Sequence, residues 1–84
     1  MKEKIIEKIG QVVRGEIDVE ELPGSTTERI TIGLALNALG KTNPSFEGDE
    51  EGAWWRLEPY QCDIVRAFNP AYRARKWAKL ARLA

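Results

Sequence analysis

The stretch "STTERITIGLALNALG", Ser25 to Gly40, decides the fold. Its first four residues match a capping box. The Ser25 hydroxyl is placed to accept from a first-turn amide, and Glu28 to reach back to the Ser25 amide. The spacing predicts a helix from about residue 26 to Leu39, closed by Gly40 as its C-cap. Ile30, Ile32, Leu34, Ala35, Leu36, Ala38 and Leu39 surround most of that helix, leaving Thr26, Arg29, Gly33 and Asn37 on one polar or bare strip. A helix apolar on so many sides is buried, so this one is expected at the centre of the domain. Gly33 and Asn37, one turn apart, mark where another element can approach closely.

On the N-terminal side, Lys2 to Arg14 reads as a helix. Ile5, Ile6, Ile9, Val12 and Val13 form a stripe about 120° wide, with Glu3, Gln11 and Arg14 opposite. Gly15 follows as a left-handed cap. β-branched residues are weak helix formers, so packing must stabilise this helix. "GEIDVEELPG" (Gly15 to Gly24) lacks a period and ends in Pro-Gly, as a linker does; one helical turn after Asp18 or a short edge strand at Glu16 to Val19 both fit it.

On the C-terminal side, "KTNPSFEGDEEGA" (Lys41 to Ala53) has the composition of an acidic loop, long for so small a domain. "WWRL" (Trp54 to Leu57) suits either an extended segment or a helix start. Pro59 fits a first helical position, and a helix from Pro59 to Phe68 aligns Tyr60, Ile64, Ala67 and Phe68 with Asp63 and Arg66 outside. Asn69-Pro70 ends that helix and opens a last one over residues 70–84. Ala74, Trp77, Ala78 and Ala81 form one face of it, with Arg75, Lys79 and Arg82 opposite.

The expected architecture is therefore all-α: one domain over residues 1–84, a small bundle of about four helices near 2–14, 26–39, 59–68 and 70–83, with room for one short β-segment at Glu16 to Val19 or Trp54 to Leu57. The expected core contains Ile9, Val13, Ile30, Leu34, Ile64, Phe68 and Trp77. With 84 residues, 43% of them hydrophobic and 31% charged, the chain is one globular domain with little room for an internal substrate cleft. Glu3, Lys4, Glu7 and Lys8 interrupt any apolar run at the N-terminus, against a signal peptide or membrane span. The lone Cys62 suits a reducing, cytoplasmic setting.

Little in the chain supports catalysis. There is no histidine, the commonest general base and metal ligand. Cys62 has only Lys or carboxylate neighbours to activate it and reads as a packing residue. "EGDEE" (Glu47 to Glu51) lacks the register of a calcium loop, and Gly48 and Gly52 precede no Gly-Lys-Ser/Thr. No enzyme activity, cofactor, metal or small-molecule substrate is expected. The protein is expected to act by binding.

Charge points to two binding surfaces. The 13 Lys+Arg balance the 13 Asp+Glu, but unevenly along the chain. Residues 15–63 hold three basic and eleven acidic groups, −8, whereas residues 64–84 hold six basic and none acidic, +6. The first expectation is a regulatory protein docking on nucleic acid or a nucleoprotein complex through Arg73, Arg75, Lys76, Lys79 and Arg82. The competing reading pairs those cations with the molecule's own acidic loop and the helix dipole. In outline, Pro59 to Ala84 resembles a DNA-binding helix-turn-helix. It carries Pro70 where those motifs usually carry glycine and lacks their base-reading Gln, Asn or Ser set, which leaves only phosphate contact. The second expectation is a protein-binding inhibitor or adaptor using Glu47, Asp49, Glu50, Glu51, Trp54 and Trp55. Adjacent tryptophans on a helix sit 100° apart, so one can fill the core while the other, rimmed by charge, forms a hot spot. In general style, resting on no motif, this segment is similar to compact acidic inhibitors of mobile elements, anti-CRISPR proteins among them, whose carboxylates stand in for phosphates.

Overall fold

The capping box at Ser25 forms as expected. In the computed structural model, which describes residues 2–70, Ser25 Oγ accepts from the Glu28 amide at 3.3 Å and Glu28 Oε1 accepts from the Ser25 amide at 3.5 Å. Five α-helices follow in order: α1 (Lys2–Val13), α2 (Thr26–Ala35), α3 (Leu39–Thr42), α4 (Glu50–Trp54) and α5 (Pro59–Phe68). Single 3-10 turns at Val19–Glu21 and Pro44–Phe46 join them, and no strand occurs among the described residues. The protein is all-α.

α2 is the centre of the fold, its residues from Ile30 to Ala35 all buried. One side meets Leu39, Ala53, Trp54 and Val65 around Ile30 and Leu34; the other meets Ile5, Ile9, Leu22 and Ile64 around Ile32 and Ala35. A helix apolar all round is thus covered all round.

It also stops four residues earlier than its apolar pattern predicts. Asn37 adopts a left-handed φ of 55°, and the Ala38 amide returns to the Gly33 carbonyl at 2.7 Å. Asparagine tolerates that conformation better than other side-chain-bearing residues, so it closes the helix where glycine was expected to. Gly40 is no C-cap; it lies within α3, which folds back across α2. The crossing needs Gly33. A Cβ there would fall on Thr42 Oγ1 and lie 3.0 Å from Leu39 Cα. Arg29 fastens the same crossing, donating to the Thr42 carbonyl from Nε at 3.0 Å and Nη2 at 2.8 Å, and to the Leu22 carbonyl from Nη1.

Gly15 does cap α1, with φ 77°; its amide donates to Val12 O and the Glu16 amide to Gln11 O, a Schellman closure. The α1 stripe is narrower than expected. Ile5 and Ile9 are buried, but Val13 is 68% exposed and leaves the expected core. α5 is rotated from its predicted face: Gln61, Ile64 and Val65 point inward, while Phe68 is 44% exposed. Gln61 is what turns it. Its Oε1 accepts from the Glu58 amide at 3.0 Å and its Nε2 approaches Thr27 Oγ1 at 3.4 Å, so a polar residue takes an inward position with its bonds made. Neither candidate β-segment forms: Val19–Glu21 is a 3-10 turn and Trp54 closes α4. The acidic stretch 41–53 is likewise mostly short helix. The expected helix over 70–84, with Trp77 as a core residue, lies outside the described residues from position 71 onward.

Candidate functional site

α4 is a five-residue helix whose sequence, Glu50-Glu51-Gly52-Ala53-Trp54, sets what faces in and what faces out. Asp49 caps it, Oδ1 accepting from the Gly52 amide at 3.2 Å, and the two glutamates in its first turn complement the helix dipole. Ala53 and Trp54 are buried, Trp54 only 3% exposed among Ile30, Leu34, Leu39 and Val65. The Arg66 guanidinium covers the Trp54 ring at 5.4 Å from its centroid and also bonds Asp63 at 3.0 Å. That contact sets the end of α5 beside α4.

With Trp54 directed into the core, helical geometry turns Trp55 away from it, and Trp55 is 68% exposed. Its amide donates to the Glu51 carbonyl at 3.0 Å, so Glu51 lies one turn behind on the same outward face and is also exposed. The expected pair of tryptophans thus divides, one structural and one on the surface.

The remaining acidic candidates divide too. Asp49 is exposed and committed to the cap. Glu50 is half-buried. Glu47 is exposed, with its carboxylate against Gly40, where a Cβ would meet Glu47 Cδ at 3.1 Å. With the Asp49 carboxylate held at the cap of the helix and the Glu47 carboxylate lying against Gly40, the outward pair on α4 is therefore Glu51 with Trp55. Arg56 follows immediately, but its guanidinium is placed over Phe46, 5.4 Å from the ring centroid. The basic candidates Arg73, Arg75, Lys76, Lys79 and Arg82 lie outside the described residues.

Cys62 is half-buried and packs against the Ile30–Leu34–Trp54 cluster, and burial pushes its thiol above the ordinary value. A protonated thiol against apolar side chains is a packing group. Among the described residues, no group of His, Cys, Asp and Glu is arranged to hold a metal ion, and no helix is long and apolar enough to cross a membrane. Sequence reading missed the exposure of Val13 and Phe68; for Phe68 the signal present was Gln61, whose side-chain bonds to the Glu58 amide and Thr27 hold it inward on α5. Comparison of the chain with protein-family models, curated proteins and solved structures finds no match.

Proposed function

We propose that this protein acts by binding, not by catalysis, and that it docks on a partner protein through the outward face of α4, with Trp55 as its anchor and Glu51, Glu47 and Asp49 as its acidic rim. The observation that carries the reading is the division of the tryptophans: Trp54 is 3% and Trp55 68% exposed. A large rigid aromatic left on the surface beside carboxylates matches the composition of an interface hot spot. Residues 2–70 hold eight Lys/Arg against thirteen Asp/Glu, a net charge of −5, so the favoured partner surface is basic. An inhibitor that mimics phosphates with carboxylates fits this description. The test is affinity capture from cells of the source organism with the wild-type chain and with Trp55→Ala. Proteins retained by both equally would refute the docking face.

A second reading has its own observation. Residues 71–84 hold five Lys/Arg and no Asp/Glu, as a nucleic-acid contact of the backbone type would require. In that role Arg73, Arg75, Lys76, Lys79 and Arg82 neutralise phosphates on nucleic acid or a nucleoprotein complex. Binding to DNA or RNA that falls steeply with salt supports it; no binding at low salt removes it.

A further inference from the structure

The narrow buried stripe of α1 leaves an apolar row outside the core. Ile6 is 38% and Val13 68% exposed. Seven residues apart, they lie about 20° from each other around the helix and about 10.5 Å apart along it. β-branched residues are weak helix formers, so at exposed positions neither one stabilises α1 by itself. Gly10 lies between them and bares the backbone beside the row. What crosses it is the flexible end of Arg14: a Cβ on Gly10 would fall 2.9 Å from Arg14 Nη1. The Arg14 amide donates to the Gly10 carbonyl at 3.0 Å, so Arg14 continues the helical turn.

The charge along the outer edge of this row is complementary to itself. Glu7 and Arg14 are also seven residues apart, share one flank of the row and are both exposed. Among the described residues, the Glu7 carboxylate has no hydrogen-bond or ion-pair partner. Arg14 pairs with Glu16, two residues on, at 2.6 Å, and the two side chains are 58% and 52% exposed. So exposed a pair contributes little and exchanges readily. A second α1 laid antiparallel on the first sets Glu7 of each chain opposite Arg14 of the other. One two-fold axis makes both pairs, and it passes beside Gly10, where the helices can approach closely. Ile6 of each chain then meets Val13 of the other. A parallel pairing would instead put Arg14 beside Arg14 and align the helix dipoles unfavourably.

We propose that α1 is a dimer interface, and that its occupant is α1 of a second copy of this chain, antiparallel across Gly10. The proposal stands independently of the reading of α4 as a docking face. α1 packs on the Ile32–Ala35 side of α2 and α4 on the Ile30–Leu34 side, so a dimer formed through α1 carries two α4 faces. Any partner bound there is engaged bivalently wherever it offers two sites.

Sedimentation equilibrium of the full chain over a concentration series tests it. A single helix pair is a small interface, and a reversible dimer with Kd between about 1 µM and about 1 mM is expected. Glu7→Arg alone places like charges across the axis, as does Arg14→Glu alone, and each should weaken the dimer at least about tenfold. An equimolar mixture of those two variants restores opposite charges at both pairs, and its heterodimer should return to within about threefold of wild type. Val13→Ser, at an exposed site, should weaken the dimer while the circular dichroism and melting of the dilute chain stay unchanged. A chain that stays monomeric up to about 1 mM would overturn the proposal and leave the row to another occupant, residues 71–84 or a different protein. A dimer indifferent to all three substitutions would overturn it too, since it would be formed through another face. Failure of the mixture to recover affinity would contradict the antiparallel pairing.

Discussion

Gly33 shows how a single missing atom organises this protein. Because Gly33 lacks a Cβ, α3 lies directly on α2 with Thr42 Oγ1 and Leu39 Cα in the vacated space. Gly33→Ala should cost about 1–3 kcal/mol, since the backbone on the far side must move, and thermal melting checks it. An unchanged melting temperature would mean that α3 does not hold this position in solution. At the same scale the two tryptophans differ in kind. Trp54→Ala removes a ring packed in the core and should cost about 3–5 kcal/mol, enough to unfold much of a domain this small. Trp55 is exposed, and its removal should change stability by less than about 0.5 kcal/mol. The adjacency of the two rings and the likelihood of their division were legible in "WW"; which ring faces out was not. That depended on α4 starting at Asp49, a cap concealed in a run of acids that reads as loop.

Among the elements, the helices with strong periodic patterns were legible and their terminations less so. α1, α2 and α5 lie where capping and apolar spacing put them. α2 ends early because Asn37 supplies a left-handed turn that the apolar residues beyond it obscure, and Leu36 to Leu39 then serve a turn and a second helix. α3 and α4 were invisible because helices of four and five residues contain too few turns to show a period. The join between α1 and α2 carries a pH-dependent contribution. The Glu28 carboxyl is held below its ordinary value, chiefly by its hydrogen bond from Lys8 and further by the Ser25 amide. A lowered folded value means that this stabilisation is present above the unfolded value and is lost as pH falls through the folded one. Acid titration of Glu28→Gln should therefore show a smaller loss of stability than wild type in that range. Parallel acid profiles would contradict the role of this contact.

Residues 2–70 form a small acidic helical domain and residues 71–84 are basic in composition, and the net charge of zero conceals both. The composition of the candidate surfaces was legible: the acids, the tryptophans and the late cations all stand out in the chain. The geometry of the acids and tryptophans was not, because it depends on which face α4 turns to α2. Trp55 is proposed here to anchor a partner protein. The most direct measurement is the affinity of purified Trp55→Ala for a protein captured by the wild-type chain, taken beside its melting temperature. Loss of a hot-spot tryptophan of about 2 kcal/mol or more corresponds to an affinity drop of roughly thirtyfold, and the account predicts that drop with the melting temperature unchanged. Unchanged affinity, or a loss of affinity explained by unfolding, would contradict it.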